Sequence, residues 1–444
     1  MRAIVLCCAV SAAGSARADD VAPPARDVAP RPIAGFKVKG KSKITDTTLG
    51  YLAHVRIGDP VSPADIPRLQ AALISSELFD SAVVTLEDAR DGVIVVATVH
   101  DKLSWIVGPT AYLLSTNKAV GVGYAENDFR GHDQKFLLYG QLGTQTSIFF
   151  GTFLDPSVHG TKWQYRLDVY LERTQVNEYA NPPLDPTSQL ISRTTQETFL
   201  DAGALVGYTF RWWLVADLRL RGGYVYFRDP HDPTTGLGSM SPERDGWDVT
   251  TQARLTIDHR FNRFGVTWGP FLQLEVEPSV PGLDSYGYFN SLLRGYYSWV
   301  MFGEHELELR SINNLGYHLP LQEDNALGGA GNLRGYPTDM FRGDLNIVLR
   351  AEYSIPLFRW WFFKFRALAF YDWGYSRFVF PRPDGGDRSY LADQLDRDYI
   401  RDDIGLGFRV YVKAVVLPLL GVDVGYGIAA RSPEVVFELG LTDF

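Results

Sequence analysis

Two carboxylates and one arginine are the residues whose types and spacing suggest a specific interaction. Glu352 and Asp372 fall on the polar face of two neighbouring predicted strands. Two carboxylates that face a confined space need a cation, or one of them must bind a proton. Arg334 lies in a glycine-rich loop before these strands, and its planar guanidinium can donate to two carboxylates at once. Gly335 would permit a sharp backbone turn beside it.

Other chemistry finds little support in the sequence. An exposed arginine on an ordinary surface loop is the alternative interpretation of Arg334. A nucleotide-binding G-x-G-x-x-G loop fails at Gly329–Gly331, because Arg334 occupies the position of the last glycine. The sequence has no H-E-x-x-H or G-x-S-x-G motif, and its eight histidines are scattered. We therefore expect no enzyme activity, no metal site and no cofactor.

Period-two alternation from Leu103 onward indicates the strands that must position these residues. Apolar Leu218 and Leu220, for example, alternate with charged Asp217 and Arg219. A soluble antiparallel sandwich also alternates, but its strands are usually only about 5–6 residues long. The predicted strands run about 10–15 residues, near the length that crosses a bilayer with tilt. We count about sixteen, and bacterial barrels have an even number.

Long and short connections alternate along most of this region. Long polar segments occupy residues 174–193, 229–246, 318–341 and 377–401, and tight links lie near Arg211, residues 259–263, Gly303, Arg359 and Pro418. Long extracellular loops and short periplasmic turns alternate in this way in outer-membrane barrels. The sequence therefore predicts a mainly β chain, with an antiparallel transmembrane barrel at residues 103–444.

Composition agrees with a barrel. The 444 residues include 42 glycines and 13% aromatic residues, yet no apolar run after the N-terminus is long enough for a membrane helix. The formal net charge of −9 disfavours a nucleic-acid partner, since phosphates need a basic surface. Both cysteines, Cys7 and Cys8, lie in a predicted signal peptide, so we expect no disulfide in the mature chain.

Three segments are predicted before the barrel. Residues 1–18 end in Ala16-Arg17-Ala18, which fits a signal-peptide cleavage site. Residues 19–32 are rich in proline and alanine and predict a disordered leader. Residues 33–102 predict a small β-α-α-β-β domain. Its strands are expected at Gly35–Lys39, Ala82–Glu87 and Gly92–Val99, and its helices at Asp46–Val55 and after Ser62.

Several short motifs stand in a fixed order along the chain. They are Asp128–Gly131, Asp258–Arg260, Gly328–Tyr336 with an Arg-Gly-aromatic triplet, Phe370–Gly374 with the pattern F-x-D-x-G, and Gly405–Arg409. Together they resemble the BamA/TamA (bacterial surface antigen) superfamily. The preceding domain, including Gly40, Gly58-Asp59 and Leu78-Phe79, is similar to a single POTRA (polypeptide-transport-associated) domain. The resemblance implies that Arg334 docks inside the barrel against Glu352 and Asp372. It also assigns Gly335, Tyr336 and Gly374 to this loop-docking motif.

The barrel is expected to close at a weak seam between its first and last strands. The first strand contains Gly108-Pro109, and proline cannot donate a ladder hydrogen bond. The last strand ends at Phe444, which breaks the apolar alternation, whereas members of the resembled family usually keep their terminal aromatic residue in phase with it. Four glycines on the inward face would leave room beside the seam, or alternatively would form a barrel corner: Gly405, Gly407, Gly425 and Gly427.

The resemblance implies an outer-membrane assembly or translocation factor whose N-terminal domain lies in the periplasm. That domain would receive unfolded outer-membrane or secreted polypeptide, and the barrel would insert it into the membrane or move it across. The alternatives are a secretion pore of the two-partner type and a surface-antigen barrel without assembly activity. The expected partners are outer-membrane lipid, lipopolysaccharide and client polypeptides, with periplasmic chaperones or accessory lipoproteins as further candidates.

Overall fold

The computed structural model describes residues 29–179, 187, 190–262, 266–380, 399–412 and 418–440. Within these residues, a small α+β domain precedes a closed antiparallel barrel, so the predicted fold class is confirmed. The predicted signal peptide, most of the predicted leader and Phe444 lie outside the described residues. Neither helix in the described part of the chain is long and apolar enough to cross a membrane.

The N-terminal domain packs two helices against a four-stranded sheet. Its elements are β1 (Arg31–Lys39), α1 (Asp46–Leu52), β2 (Pro60–Val61), α2 (Ile66–Ser75), β3 (Phe79–Ala89) and β4 (Gly92–Asp101). The sheet order is β2-β1-β4-β3, with β1 parallel to β4. Thr45 caps α1 by accepting a 3.2 Å hydrogen bond from the Thr48 N–H. Leu69 and Leu73, one turn apart on α2, are fully buried against the sheet.

Two boundaries in this domain differ from the sequence prediction. Strand β1 begins at Arg31, not Gly35, because Arg31 and Pro32 pair with Val61 and Pro60 of β2. Its first two residues therefore fall in the stretch predicted to be a leader. Helix α1 ends at Leu52, three residues earlier than predicted.

Sixteen strands close the barrel within the described residues, counting β13 as the continuation of β12. The strands of this part of the chain are β5 (Trp105–Leu113), β6 (Lys118–Phe129), β7 (Gln134–Gly143), β8 (Thr146–Asp155), β9 (Trp163–Tyr179), β10 (Ile191–Arg211), β11 (Leu214–His231), β12 (Gly246–Asp258), β13 (Phe261–Asn262), β14 (Thr267–Pro278), β15 (Phe289–Met301), β16 (His305–Tyr317), β17 (Asn325–Leu327), β18 (Phe341–Gly343), β19 (Leu345–Trp360), β20 (Phe363–Arg377), β21 (Ile400–Val412), β22 (Pro418–Gly427) and β23 (Ser432–Leu439). Strands β17 and β18 form a ribbon inside the loop between β16 and β19.

The barrel wall has an apolar outer face and a polar inner face. On β11, Leu218 and Leu220 are exposed on the outside, while Asp217 and Arg221 are buried inside. This alternation is what a lipid-facing barrel requires, since charge on the outer face would be desolvated by hydrocarbon. Exposed Trp212, Phe302 and Trp361 lie at the short turns, where aromatic side chains anchor a barrel at the membrane interface.

The wall is least continuous where β23 meets β5. Only three residue pairs, at Ala111–Leu113 and Phe437–Leu439, join these strands in the described residues. Each of the other neighbouring pairs has at least seven, and β9 with β10 has seventeen. Pro109 precedes the paired segment of β5 and lies opposite Val122 of β6. A proline cannot donate across the seam at that position, which agrees with the predicted weakness.

The N-terminal domain covers the end of the barrel that carries the short turns. The Thr45 N–H and the Thr48 hydroxyl donate to the Gly131 carbonyl at 3.1 and 2.9 Å. Gly131 has φ +76°, and a Cβ there would lie 1.9 Å from the Lys43 carbonyl oxygen, so glycine permits this contact. The ring of His54 stacks on Trp212 at 4.9 Å. The domain is therefore fixed to the barrel by hydrogen bonds and by an aromatic stack.

This contact predicts a pH dependence. Burial, with a smaller contribution from the positive charge of Arg68, lowers the pKa of His54 from 6.5 to about 4. In the docked state the ring stays neutral down to about pH 4, whereas a released His54 binds a proton below about 6.5. Docking is therefore at full strength above pH 6.5 and weakens as the pH falls from 6.5 towards 4.

We expect the melting temperature of the native chain to fall as the pH is lowered from 6.5 to 4.5, by a small amount because the His54 side chain is exposed and its interactions are screened by solvent. His54→Phe keeps the stacked ring but cannot titrate, so it should remove this part of the pH dependence. His100→Gln, at an exposed histidine, is the control and should change nothing. Identical pH profiles for the native chain and His54→Phe would contradict the assignment.

Candidate functional site

The candidate site is the tip of the loop at residues 318–344, which folds into the barrel. Gly328 and Gly329 turn the chain after β17 with φ values of +119° and +88°. The Asn332 carboxamide oxygen accepts from the N–H groups of Gly328 and Leu333 at 2.6 and 2.7 Å. The Gly329 N–H donates to the Tyr336 carbonyl at 3.0 Å. The tip is thus held in shape by its own backbone and one amide side chain.

Arg334 projects from this tip into the barrel wall and is almost fully buried. Its Nε and Nη2 donate to the two oxygens of Asp372 at 2.8 and 3.0 Å. Its Nη1 donates to Glu352 at 3.0 Å and to Asp423 at 3.2 Å. The guanidinium lies 3.4 Å from the ring centre of Phe370. The planar guanidinium therefore donates to three carboxylates and stacks on one aromatic ring, an arrangement that a lysine side chain cannot reproduce.

The wall positions these carboxylates by strand register. Glu352 lies on β19 and Asp372 on the neighbouring β20, both facing inward. Asp423 comes from β22, two strands further on, and also accepts from Arg409 at 2.5 and 2.8 Å. Arg350, opposite Asp372 in the ladder, donates to it at 3.3 Å. With Asp403 included, three arginines face four carboxylates, so the cluster is nearly neutral as a buried site must be.

Gly335 and Tyr336 extend the docking contact. The Gly335 N–H donates to Asp403 at 3.0 Å. The Tyr336 hydroxyl donates to the Asp402 carbonyl at 2.9 Å and accepts from the Ala429 N–H at 3.2 Å. The loop tip is therefore bonded to β21 and to the turn after β22 through its backbone as well as through its side chains.

The role predicted for Gly335 is wrong. Its φ lies outside the left-handed region, and Gly328 and Gly329 supply the turn instead. Glycine is needed at 335 because the loop backbone passes very close to the wall. A Cβ at this position would lie 2.5 Å from the Gly427 nitrogen and 2.6 Å from Cβ of Asp403.

The four inward glycines serve the loop rather than the seam. A Cβ on Gly425 would lie 2.7 Å from the Arg334 carbonyl carbon, and one on Gly427 would lie 2.5 Å from the Gly335 oxygen. Gly407 and Gly405 leave space for the Asp423 carboxylate and the Phe370 ring, respectively. The expectation that these residues leave room at the seam is therefore corrected, because the docked tip and its binding partners occupy that space.

The remaining predicted site residues fall into two places. Gly374 lies beneath the loop, where a Cβ would meet Leu333 at 2.9 Å. Gly108 and Pro109 lie on β5 at the seam, away from the Arg334 cluster. Phe444 lies outside the described residues. The structure thus brings Arg334, Glu352, Asp372 and Gly374 together and leaves the seam as a separate feature.

A second anchor for the same loop was not foreseen from the sequence. Glu323, near the start of the loop, accepts from Arg221 of β11 at 2.9 Å. Arg221 also donates to Asp248 at 2.9 Å and to the Tyr288 hydroxyl at 2.8 Å. The loop is therefore bonded to opposite walls of the barrel. The only sequence feature that pointed to this site is the strand alternation, which places Arg221 and Asp248 on the polar inner face of the barrel.

Side chains in the described part of the chain offer little for a metal ion. No group of three or more His, Cys, Asp or Glu side chains there has an arrangement that could hold one. The carboxylates around Arg334 are instead bonded to arginine side chains. The chemistry of this cluster is charge neutralisation and positioning of the loop.

These features define a class of protein: a membrane barrel of sixteen strands with a small domain over one end and a loop docked inside. A family model described as the Omp85 superfamily domain matches residues 128–439, more than half of the chain. The chain belongs to the Omp85 superfamily. The family inferred from the sequence motifs is therefore confirmed, and with it an outer-membrane barrel of the kind that inserts or translocates polypeptides.

Solved structures of similar fold include three at low sequence identity. BamA from Haemophilus ducreyi lacking POTRA domains 1–3 is 12% identical, with 92% of this chain and 84% of that chain covered and a TM-score of 0.56. CdiB from Escherichia coli is 11% identical, with 92% and 76% covered and a TM-score of 0.60. CdiB from Acinetobacter baumannii is 11% identical, with 92% and 74% covered and a TM-score of 0.56. A search of curated protein sequences gives no significant match.

Replacing Arg334 should destabilise the barrel without preventing its insertion. Arg334→Ala leaves Asp372 buried without its main partner, which costs about 3–5 kcal/mol for a buried pair. Heat unfolding in detergent should therefore occur at a lower temperature. Arg294→Ala, at an exposed arginine of β15, is the control and should unfold like the native protein. An unchanged melting temperature for Arg334→Ala would contradict the docking role.

A methyl group on the wall should expel the loop tip. Gly425→Ala would clash with the Arg334 backbone at 2.7 Å, whereas Gly421→Ala on the same strand meets only the Arg409 side chain at 3.4 Å. Trypsin cleaves after accessible arginines, so we expect cleavage at Arg334 in Gly425→Ala but not in Gly421→Ala or the native chain. Equal resistance of both variants would indicate that the glycine is not required for docking.

Proposed function

We propose that this chain is an accessory outer-membrane assembly factor. Its N-terminal domain, in the periplasm, receives unfolded polypeptide, and its barrel inserts that polypeptide into the outer membrane at the seam. The observation that carries the proposal is the seam between β5 and β23, which has three residue pairs in the described residues. An insertase needs one place where the wall can exchange its own strand for a client strand.

The N-terminal domain offers an edge for an extended client. Strand β3 pairs with β4 on one side, and no described strand pairs with its other side. Unpaired N–H and C=O groups on an edge strand can accept another extended chain by strand addition. Val83, exposed on this strand, would contribute an apolar contact. This supports a POTRA-like role in which the domain holds the client before transfer.

The two strands that form the seam are also the shortest of the sixteen in the described residues. Strand β5 has 9 residues and β23 has 8, whereas β9, β10 and β11 have 17 to 21. Fewer ladder bonds and shorter strands lower the energy needed to separate this part of the barrel. Separation at any other position would break at least seven residue pairs. The seam is therefore the natural opening.

The proposal is tested by locking the seam. Leu113→Cys with Phe437→Cys places two thiols at directly opposed positions on β5 and β23. The oxidised form should lose client assembly, and reduction should restore it. Tyr297→Cys with Leu309→Cys, which joins fully paired β15 and β16, is the matched control and should assemble clients in both states.

Client assembly is measured as the folded, heat-modifiable outer-membrane barrels that remain after the native copy is depleted. Selective loss of other barrels in the locked form supports the proposal. Loss of one secreted protein, with normal barrels, would favour a secretion pore. Full activity of the locked form would contradict opening at the seam.

A further inference from the structure

A cavity of about 660 Å³ lies inside the barrel next to the seam. Ala111 and Tyr112 of β5 and Glu438 and Leu439 of β23 form part of its lining, and these residues belong to the three pairs that close the seam. The inner loop forms another wall. Opening the seam would therefore remove one side of this cavity and replace it with whatever strand pairs with β5.

The cavity is strongly acidic. Its charged lining residues in the described part of the chain are Glu172, Glu197, Glu323, Asp324, Asp339 and Glu438, with Arg342 as the basic one. Glu323 is paired with Arg221, and Arg342 lies 3.9 Å from Asp339. Six acidic side chains and one basic side chain therefore line the cavity, and this composition favours a cationic ligand.

Glu197 gives the second, independent indication. Its side chain lines the cavity and the residue is only 7% exposed. Its carboxylate has no hydrogen bond or ion pair with any side chain or backbone group in the described residues. A carboxylate removed from bulk water without a partner is unfavourable, so a donor that enters the cavity gains an interaction at this atom. Glu172, on the adjacent strand β9, lies diagonally across from it.

The seam itself supplies a reason for the ligand to be part of a strand. Glu438 of β23 lies opposite Tyr112, and both line the cavity. The chain's own last strand therefore adds a carboxylate to an acidic site. A strand that replaced β23 and carried lysine or arginine at this position would replace a like charge with an opposite one.

We propose that this cavity binds a lysine or arginine side chain on the inward face of a client strand paired with β5. The proposal rests on the proposed function and adds a sequence preference to it. A basic client residue opposite Tyr112 donates to Glu197 and Glu172, and the strand ladder with β5 fixes its depth. The same contact favours exchange of β23 for the client.

The test captures synthetic strands on the full-length protein in lipid nanodiscs. Leu113→Cys on β5 forms a disulfide with a cysteine in a strand-forming peptide, and the peptide carries Lys, Gln or Glu at the position opposite Tyr112. We expect capture of the Lys peptide to exceed that of the Glu peptide roughly tenfold at low salt, with Gln between them. In the double variant Glu197→Gln and Glu172→Gln, this ratio should fall towards one.

Glu275→Gln is the matched control, because Glu275 faces the barrel interior on β14 outside the cavity and accepts from Gln252. It should retain the preference. Equal capture of all three peptides would overturn the charge inference while leaving strand exchange intact. A preference that persists in the double variant would also overturn it. Capture of none of the peptides would contradict the proposed function, and the inference with it.

Discussion

The inner loop depends on the ion pair between Arg334 and Asp372, in which both charges are withdrawn from water. Such a pair gains little net stability over apolar packing, but leaving one partner alone is costly. The loop therefore has one favourable position, with its tip against β19–β22. The surrounding residues follow from this constraint: Phe370 supplies the platform under the guanidinium, and glycines on β22 allow the backbone to approach.

The same barrel combines a firmly braced interior with a weak closure. The loop is bonded to one wall through Arg334 and to the opposite wall through Glu323 and Arg221. The seam, by contrast, has three residue pairs in the described residues. Under the proposed function the wall opens at the seam, and the loop, bonded to two other parts of the wall, would then hold the remaining strands together. The acidic cavity lies where these two features meet.

Much of the fold followed from the sequence because strand patterning is local. The alternation of Leu218 and Leu220 with Asp217 correctly indicated which face is polar, and the predicted barrel of about sixteen strands is confirmed. Arg334, Glu352 and Asp372 could be grouped from the sequence for two reasons. The strand alternation places both carboxylates on the inner face, and Arg334 lies in a recognisable glycine-rich loop. The resemblance to the family motifs added the expectation that the loop folds into the barrel rather than away from it.

Other parts of the site depend on register and loop path, which the sequence does not encode locally. Asp423 is 89 residues from Arg334 in the sequence, and Glu323 is 102 residues from Arg221. Because many other charged residues also face inward, the sequence alone could not show which of them form these pairs. Glycine is equally ambiguous, because it signals either a turn or a close approach. Gly335 was assigned a turn and Gly425 a place at the seam, whereas both allow close contact between loop and wall.

A double-mutant cycle between Arg334 and Asp372 tests the central claim most directly. The free energies of unfolding of Arg334→Ala, Asp372→Ala and the double variant are measured in the same detergent. If the two side chains act as one buried unit, the double variant should be no less stable than the worse single variant, with a coupling energy of at least about 1.5 kcal/mol. Strictly additive losses would contradict the account, because they would mean that Arg334 does not depend on Asp372.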